Sequence, residues 1–294
     1  MGEPERCLRA CRTRCISSVG KCMCLGGGDR PWWSRRTSPE EWRHHGRFSD
    51  FRDRTIWSGP MSEAGPKRFY ETVTVAAEDG VYVIKLDGRP AKTPGRHLLG
   101  AESQILAEAL AAEWSQQQDI IDLTTMPLTR LTGFARDGGE DARGPWRQTI
   151  LAYAGSDLLC YRAPETGLAA RQAEIWDPFL ARFAERVGAP LTVTEGIIAV
   201  EQDPKSLAAI EAYLDPYSLE RLYAAKLLTE MTGSAVLALA ALDEDAPAHE
   251  IFAASRLDET FQAERWGIDA EAAIREASLR RDFEDTLRFA SLTP

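Results

Sequence analysis

The stretch FYETVTVAAEDGVYVIKLDGRPAKTP, residues 69–94, decides how this chain begins to fold. Tyr70, Thr72 and Thr74 alternate with Glu71, Val73 and Val75, a period of two that suits a strand with one covered face. Asp79-Gly80 follows, then the β-branched and aromatic run Val81 to Leu86, then Asp87-Gly88. Asp-Gly between two such runs is a hairpin signal, because glycine accepts the positive φ that a type I′ turn demands. Asp87 and Gly88 are therefore read as turn residues with a structural role. Pro90 and Pro94 lack the N–H that a central strand donates, so they confine the next strand to an edge or a short piece.

Outward from this hairpin the pattern changes to helices. Leu106, Leu110 and Trp114 recur at i, i+4 and i+8, which predicts a helix over about 102–118 with Trp114 as a core anchor facing the sheet. Thr124 to Pro127 opens the next helix, with Pro127 in its first turn, and Gly138-Gly139 closes it. A long helix is expected over 168–187, kinked or broken at Pro178, with Trp176-Asp177-Pro178 a bend in a packed element and Trp176 structural. Residues 191–200 look extended. Helices follow near 204–214, 216–228, 233–242, 247–266 and 270–290. Strands first and helices after predict an α+β fold. It comprises a small β-rich N-terminal domain with a packed helix at 67–123 and a mainly α-helical C-terminal domain at 124–294.

Residues 1–66 read differently. Within residues 1–60 there are 12 Lys and Arg against 7 Asp and Glu, whereas the rest of the chain holds 23 against 38. This leading part shows no sustained period and is expected to be a disordered or artefactual extension, with Met61 as a possible native start. Five of the six cysteines lie in it, between Cys7 and Cys24; the body keeps only Cys160, read as a small buried hydrophobe in a reduced protein.

The body excludes several chemistries by what it lacks. Two histidines, His97 and His249, and no HExxH or CxxC leave no set of metal ligands at metal spacing. There is no GxxxxGK[ST] phosphate loop and no GxSxG elbow. No catalytic residue, cofactor or metal is assigned. An acidic body argues against nucleic acid as a partner, since such binding needs basic surface to displace counterions. Met231 to Leu242, an uncharged apolar run, is too short to span a bilayer and is read as a buried helix, with no membrane insertion.

The segment 247–266 is the most informative about binding. At 100° per residue Phe252, Ala263 and Trp266 share one side, and Ala254, Leu257 and Phe261 the other, which predicts a sandwiched helix. Arg256 and Glu259 fall on the Phe252 side and either pair at i, i+3 or meet a partner. Arg256, Asp258, Glu259, Gln262 and Trp266 are taken as the candidate partner-binding residues.

Ordered motifs carry a resemblance over 67–294. They are Arg68-Phe69-Tyr70, Leu86 to Pro90 with Lys92-Thr93-Pro94, Ala112-Glu113-Trp114, Thr125 to Thr129 and Asp157 to Arg162. Trp176-Asp177-Pro178, Val193 to Gly196, and Ser255 to Glu259 leading into Gln262-Ala263-Glu264 and Trp266-Gly267 complete the set. In this order they resemble the ATP synthase assembly chaperone specific for the alpha subunit. The resemblance implies a monomeric chaperone without enzymatic activity. It would bind the free alpha subunit of the catalytic head and cover its beta-facing surface, in the cytoplasm of a bacterium or, in a eukaryote, the mitochondrial matrix. The competing reading is a small-molecule enzyme with an acidic site between the two domains; a third is a structural subunit of a stable complex.

Overall fold

A computed structural model describes residues 65–196, 199–267 and 270–294. The readings made for residues 1–64, including the extension, the cysteine cluster and the start at Met61, lie outside the described residues.

Strands β1 (Val73–Glu78) and β2 (Val81–Leu86) form an antiparallel hairpin, in register from Val73 opposite Leu86 to Glu78 opposite Val81. Its turn has φ +47° at Asp79 and +82° at Gly80, the two positive values a type I′ turn requires. Asp87 (φ +49°) and Gly88 (φ +76°) repeat the device between β2 and the two-residue strand β3 (Arg89–Pro90). Strand β4 (Gly100–Ala101) pairs with the other end of β2. A side chain at Gly100 would press its Cβ to 2.5 Å from the Tyr82 carbonyl oxygen, so only glycine fits.

Helix α1 (Gln104–Ser115) starts where the Ser103 hydroxyl accepts from the Leu106 N–H, and it lays Leu106, Leu110 and Trp114 on β1 and β2. Helix α2 (Pro127–Gly138) has proline at its first position and ends at Gly139, whose φ is +60°. After α3 (Arg143–Gly155), the chain makes a 3-10 turn, Leu158–Cys160, that leads into the two-residue strand β5 (Tyr161–Arg162). The Asp157 carboxylate accepts the Leu159 N–H and turns the chain there.

Helix α4 (Thr166–Val187) runs unbroken through Pro178, because Trp176, Phe179 and Phe183 are buried on both sides of the proline and hold the helix to its neighbours. The expected strand over 191–200 shortens to β6 (Thr194–Glu195), parallel to β5, whose own two residues offer no longer partner. Helices α5 (Pro204–Leu214), α6 (Leu219–Thr232) and α7 (Ala235–Leu242) follow. All eight residues of α7 are buried, which makes it the centre of the helical part.

The expected helix over 247–266 divides into α8 (Ala248–Ser255) and α9 (Leu257–Trp266). At the joint Ser255 Oγ donates back to the Phe252 carbonyl, and Arg256 Nε donates to the Ser255 carbonyl; these local bonds compete with helix continuation. Ile251, Phe252, Ala254 and Ser255 of α8 are buried, but α9 buries only Leu257, so the sandwiched reading holds for α8 and not for α9. Helix α10 (Ala270–Ser291) closes the fold by packing Phe283 and Phe289 inward. The order of a small sheet followed by helices is the α+β arrangement expected from the strand and helix periods.

Candidate functional site

Helix α9 is attached to α4 by polar contacts. Arg171 Nη1 meets Glu264 Oε2 at 2.7 Å, and Arg265 Nη1 meets Glu165 Oε1 at 2.5 Å. Between them Phe261 carries the Arg171 guanidinium 5.4 Å from its ring centroid and that of Arg265 at 4.8 Å. Deeper in the seam Gln172, 1% exposed, uses both ends of its amide. Its Oε1 accepts the Ala163 N–H at 2.7 Å and its Nε2 donates to Asp258 Oδ1 at 2.8 Å.

Where α8 meets α9, a cavity of about 230 Å³ is lined by Leu158, Trp176, Ser255, Arg256, Asp258, Glu259 and Gln262. Four of the five residues nominated from sequence for partner binding therefore line one cavity. Trp176 forms part of its wall and is itself fixed: its Nε1 donates to the Ala254 carbonyl at 2.9 Å, and the Arg162 guanidinium lies 5.2 Å from its ring centroid. Arg162 is tied in turn to Asp177 Oδ1 at 2.5 Å. Arg256 Nη1 pairs with Glu259 Oε1 at 3.1 Å, with the arginine side chain 22% exposed and the glutamate 58%. The fifth residue, Trp266, is 76% exposed and does not line the cavity. It lies seven residues after Glu259 on the same helix, and with Gln262 forms a stripe at i, i+3 and i+7.

The residues given structural roles sit elsewhere. Trp114 is 5% exposed; the Tyr70 hydroxyl donates to its carbonyl at 2.7 Å and the two rings meet edge to face at 5.7 Å. Its indole also borders an apolar groove of about 730 Å³ shared with Phe69, Pro90, Ile121 and Leu123. Asp87 accepts the Thr72 N–H at 2.8 Å, the Thr72 hydroxyl at 3.0 Å and the Glu71 N–H at 3.0 Å. These bonds, led by that from the Thr72 amide, hold its carboxyl below the usual aspartate range. Asp87 thus ties the hairpin's second turn to the start of β1. Pro127 opens α2, whose first residues are capped from another element: Glu113 of α1 accepts the N–H groups of Leu128 at 2.8 Å and Thr129 at 2.7 Å.

Glu113, Asp157 and Gln172 received no role from sequence reasoning. Burial pushes the Glu113 carboxyl up against the opposing pull of its hydrogen bonds. Asp157, wholly buried, is pushed up to about 6 by desolvation although it accepts the N–H groups of Leu159 and Val236. An acid at the mouth of a turn was a legible capping signal for Asp157; its reach to the start of α7 was not. Cys160 is buried and its thiol is pushed up to about 12 by desolvation, far from the thiolate a nucleophile needs.

Among the described residues no group of three or more His, Cys, Asp or Glu is placed to hold a metal ion, and no helix is long and apolar enough to cross a membrane.

Residues 67–184 match the family described as ATP12 chaperone protein. Protein atp12, mitochondrial, of Schizosaccharomyces pombe is 23% identical over 223 residues, which span 71% of this chain and 77% of that protein. The crystal structure of Atp12 from Paracoccus denitrificans superposes with a TM-score of 0.75 at 38% identity, covering 79% of this chain and 99% of the other. A crystal structure of an Agrobacterium tumefaciens protein gives a TM-score of 0.73 at 38% identity, covering 77% of this chain and 85% of the other.

Proposed function

This chain belongs to the ATP12 chaperone family, and from that premise we propose that it serves ATP synthase assembly by binding the free alpha subunit of the catalytic head until the beta subunit takes its place. An alpha subunit made ahead of its partner presents apolar surface meant for beta, and such surface aggregates. A placeholder needs a face that is both apolar and polar enough to release, rather than a phosphate loop or a nucleophile.

One observation supports α9 as that face. Trp266, a large indole on an ordered helix, is 76% exposed, and it shares its stripe with Glu259 and Gln262. Tryptophan left in solvent beside charged and amide groups is a common anchor of protein interfaces. In this reading Arg256, Asp258, Glu259, Gln262 and Trp266 contact the alpha subunit, while Trp114, Asp87, Gly88, Pro127 and Trp176 maintain the fold.

The test is aggregation of purified alpha subunit diluted from denaturant, followed by light scattering with and without this protein and without nucleotide. Suppression at a stoichiometric ratio, lost in Trp266→Ala while the melting curve is kept, is the expected result. Unchanged scattering with the wild-type protein would overturn the reading.

A further inference from the structure

The charges on α9 are matched one by one, with a single remainder. Glu259 pairs with Arg256, Glu264 with Arg171 and Arg265 with Glu165. Arg162, whose guanidinium lies over the Trp176 ring, pairs with Asp177. Asp258 has no ion pair among the described residues. Its polar neighbour is the neutral amide of Gln172, which holds Oδ1, while Oδ2 accepts no hydrogen bond from the described residues. Gln172 is itself buried and anchored to the backbone at Ala163, so the Asp258 carboxylate is held in place rather than left to rotate freely.

That carboxylate borders the 230 Å³ cavity between α8 and α9. The balance of the lining is negative: one arginine, already neutralised, against two acids. Accessibility reinforces the sign, because the Arg256 side chain is 22% exposed and that of Glu259 58%. What an incoming group meets is therefore carboxylate oxygen, an amide from Gln262 and the wall of Trp176. An anionic side chain would face Asp258 uncompensated. An apolar one would leave the carboxylate unpaired and partly desolvated, which is costly. A cation gains a charge-assisted bond to Asp258 Oδ2 and a second acceptor in Glu259.

We propose that this cavity receives a basic side chain, lysine or arginine, of the client protein, with Asp258 as its counter-charge and Gln172 as the residue that positions Asp258. The proposal rests on the chaperone reading for the identity of the client, and adds the chemistry of what the client inserts. Trp266, farther along the stripe, covers apolar surface next to that basic residue.

Two measurements test it. The first needs no alpha subunit: acetylated, amidated peptides Leu-Lys-Leu, Leu-Arg-Leu and Leu-Glu-Leu are titrated into the isotopically labelled full-length protein, and backbone amide shifts are followed. The lysine and arginine peptides should shift Ser255, Asp258, Glu259 and Gln262, and the glutamate peptide should not. Asp258→Asn should abolish the shifts, and Asp258→Glu should restore part of them. Equal shifts with all three peptides, or none with the basic ones at millimolar concentration, would overturn the proposal.

The second titrates alpha subunit at low and high salt. Asp258→Asn should weaken binding roughly tenfold and flatten its salt dependence. Gln172→Leu should weaken it in the wild-type background but not in Asp258→Asn, a coupling that a general loss of stability does not produce. Asp258→Asn binding alpha as well as the wild type would also count against the proposal. A wild-type protein that ignores alpha yet takes the basic peptides would instead retire the alpha-subunit reading and leave this one standing.

Discussion

The Oε1 atom of Glu113 accepts the backbone N–H of Leu128 at 2.8 Å, so the first turn of α2 is capped by a carboxylate from α1. The residue at the capping position, Met126, makes no side-chain cap of its own. Glu113→Ala leaves the buried N–H groups of Leu128 and Thr129 without acceptors and should cost about 2 kcal/mol. Glu113→Gln, which keeps one carbonyl acceptor, should cost less. Urea melts of the two variants check the order; a wild-type midpoint for Glu113→Ala would show that the cap is dispensable.

Trp114 anchors α1 on the sheet beside Tyr70 while its indole borders the groove with Phe69, which is 70% exposed. Trp114→Ala should cost roughly 3–5 kcal/mol, as large-to-small changes of buried aromatics do. Loss of alpha binding should then follow the loss of folded protein. A variant with an unchanged melt and no alpha binding would move Trp114 into the interface.

Asp157 makes stability depend on pH in a direction opposite to most carboxylates. Its native pKa of about 6 stands above the ordinary 3.8, so between those values the native state holds the proton more tightly than the unfolded chain. Stability from this group is therefore fully present below about pH 4 and lost as pH rises through 6. Relative to Asp157→Asn, which does not titrate, the wild type should lose about 2 kcal/mol between pH 4 and pH 7. Denaturant melts of both proteins across that range read the difference, in which the other titrating groups cancel. A difference that stays flat would show that the carboxyl is not raised.

Glu259 carries the largest exposed share of its ion pair with Arg256. Pairs of this kind contribute within about 1 kcal/mol, so Glu259→Lys should leave the fold nearly intact. Binding to alpha subunit should fall, because the reversed charge faces the client beside Asp258. Gln262→Ala should leave stability within about 0.5 kcal/mol, so any lost affinity is a contact effect. Normal melts with normal binding for both would remove α9 from the binding surface.

How legible these features were follows from their range along the chain. Asp79-Gly80 and Asp87-Gly88 announce their turns because the sterics of positive φ are settled within a few residues, whereas the period of two in 70–75 overlaps β1 only from Val73 onward. Proline at the start of α2 and the glycines that end helices act equally locally. The ordered motifs also carried the family, since a set of short signals in sequence needs no coordinates to be read. The side shared by Glu259 and Trp266 follows from helical spacing alone. Its exposure does not, because burial depends on what the rest of the chain brings against a helix.

The break between α8 and α9 shows where local reading stops. Periodicity joined 247–266 into one helix, but the Ser255 and Arg256 side chains bond the nearby backbone, and only α8 finds apolar neighbours on both sides. The same holds for the polar residues that arrange the cavity. Gln172 reaches Asp258 across 86 residues and Asp157 reaches Val236 across 79. An amide or an acid in sequence carries no mark of which distant donor will satisfy it once it is buried. Turns, the periods of the helices and the family could be read along the chain. Which acid of the cavity pairs with a cation among the described residues, and which acid is driven up by burial, depends on the packed neighbourhood, because desolvation and pairing are its properties.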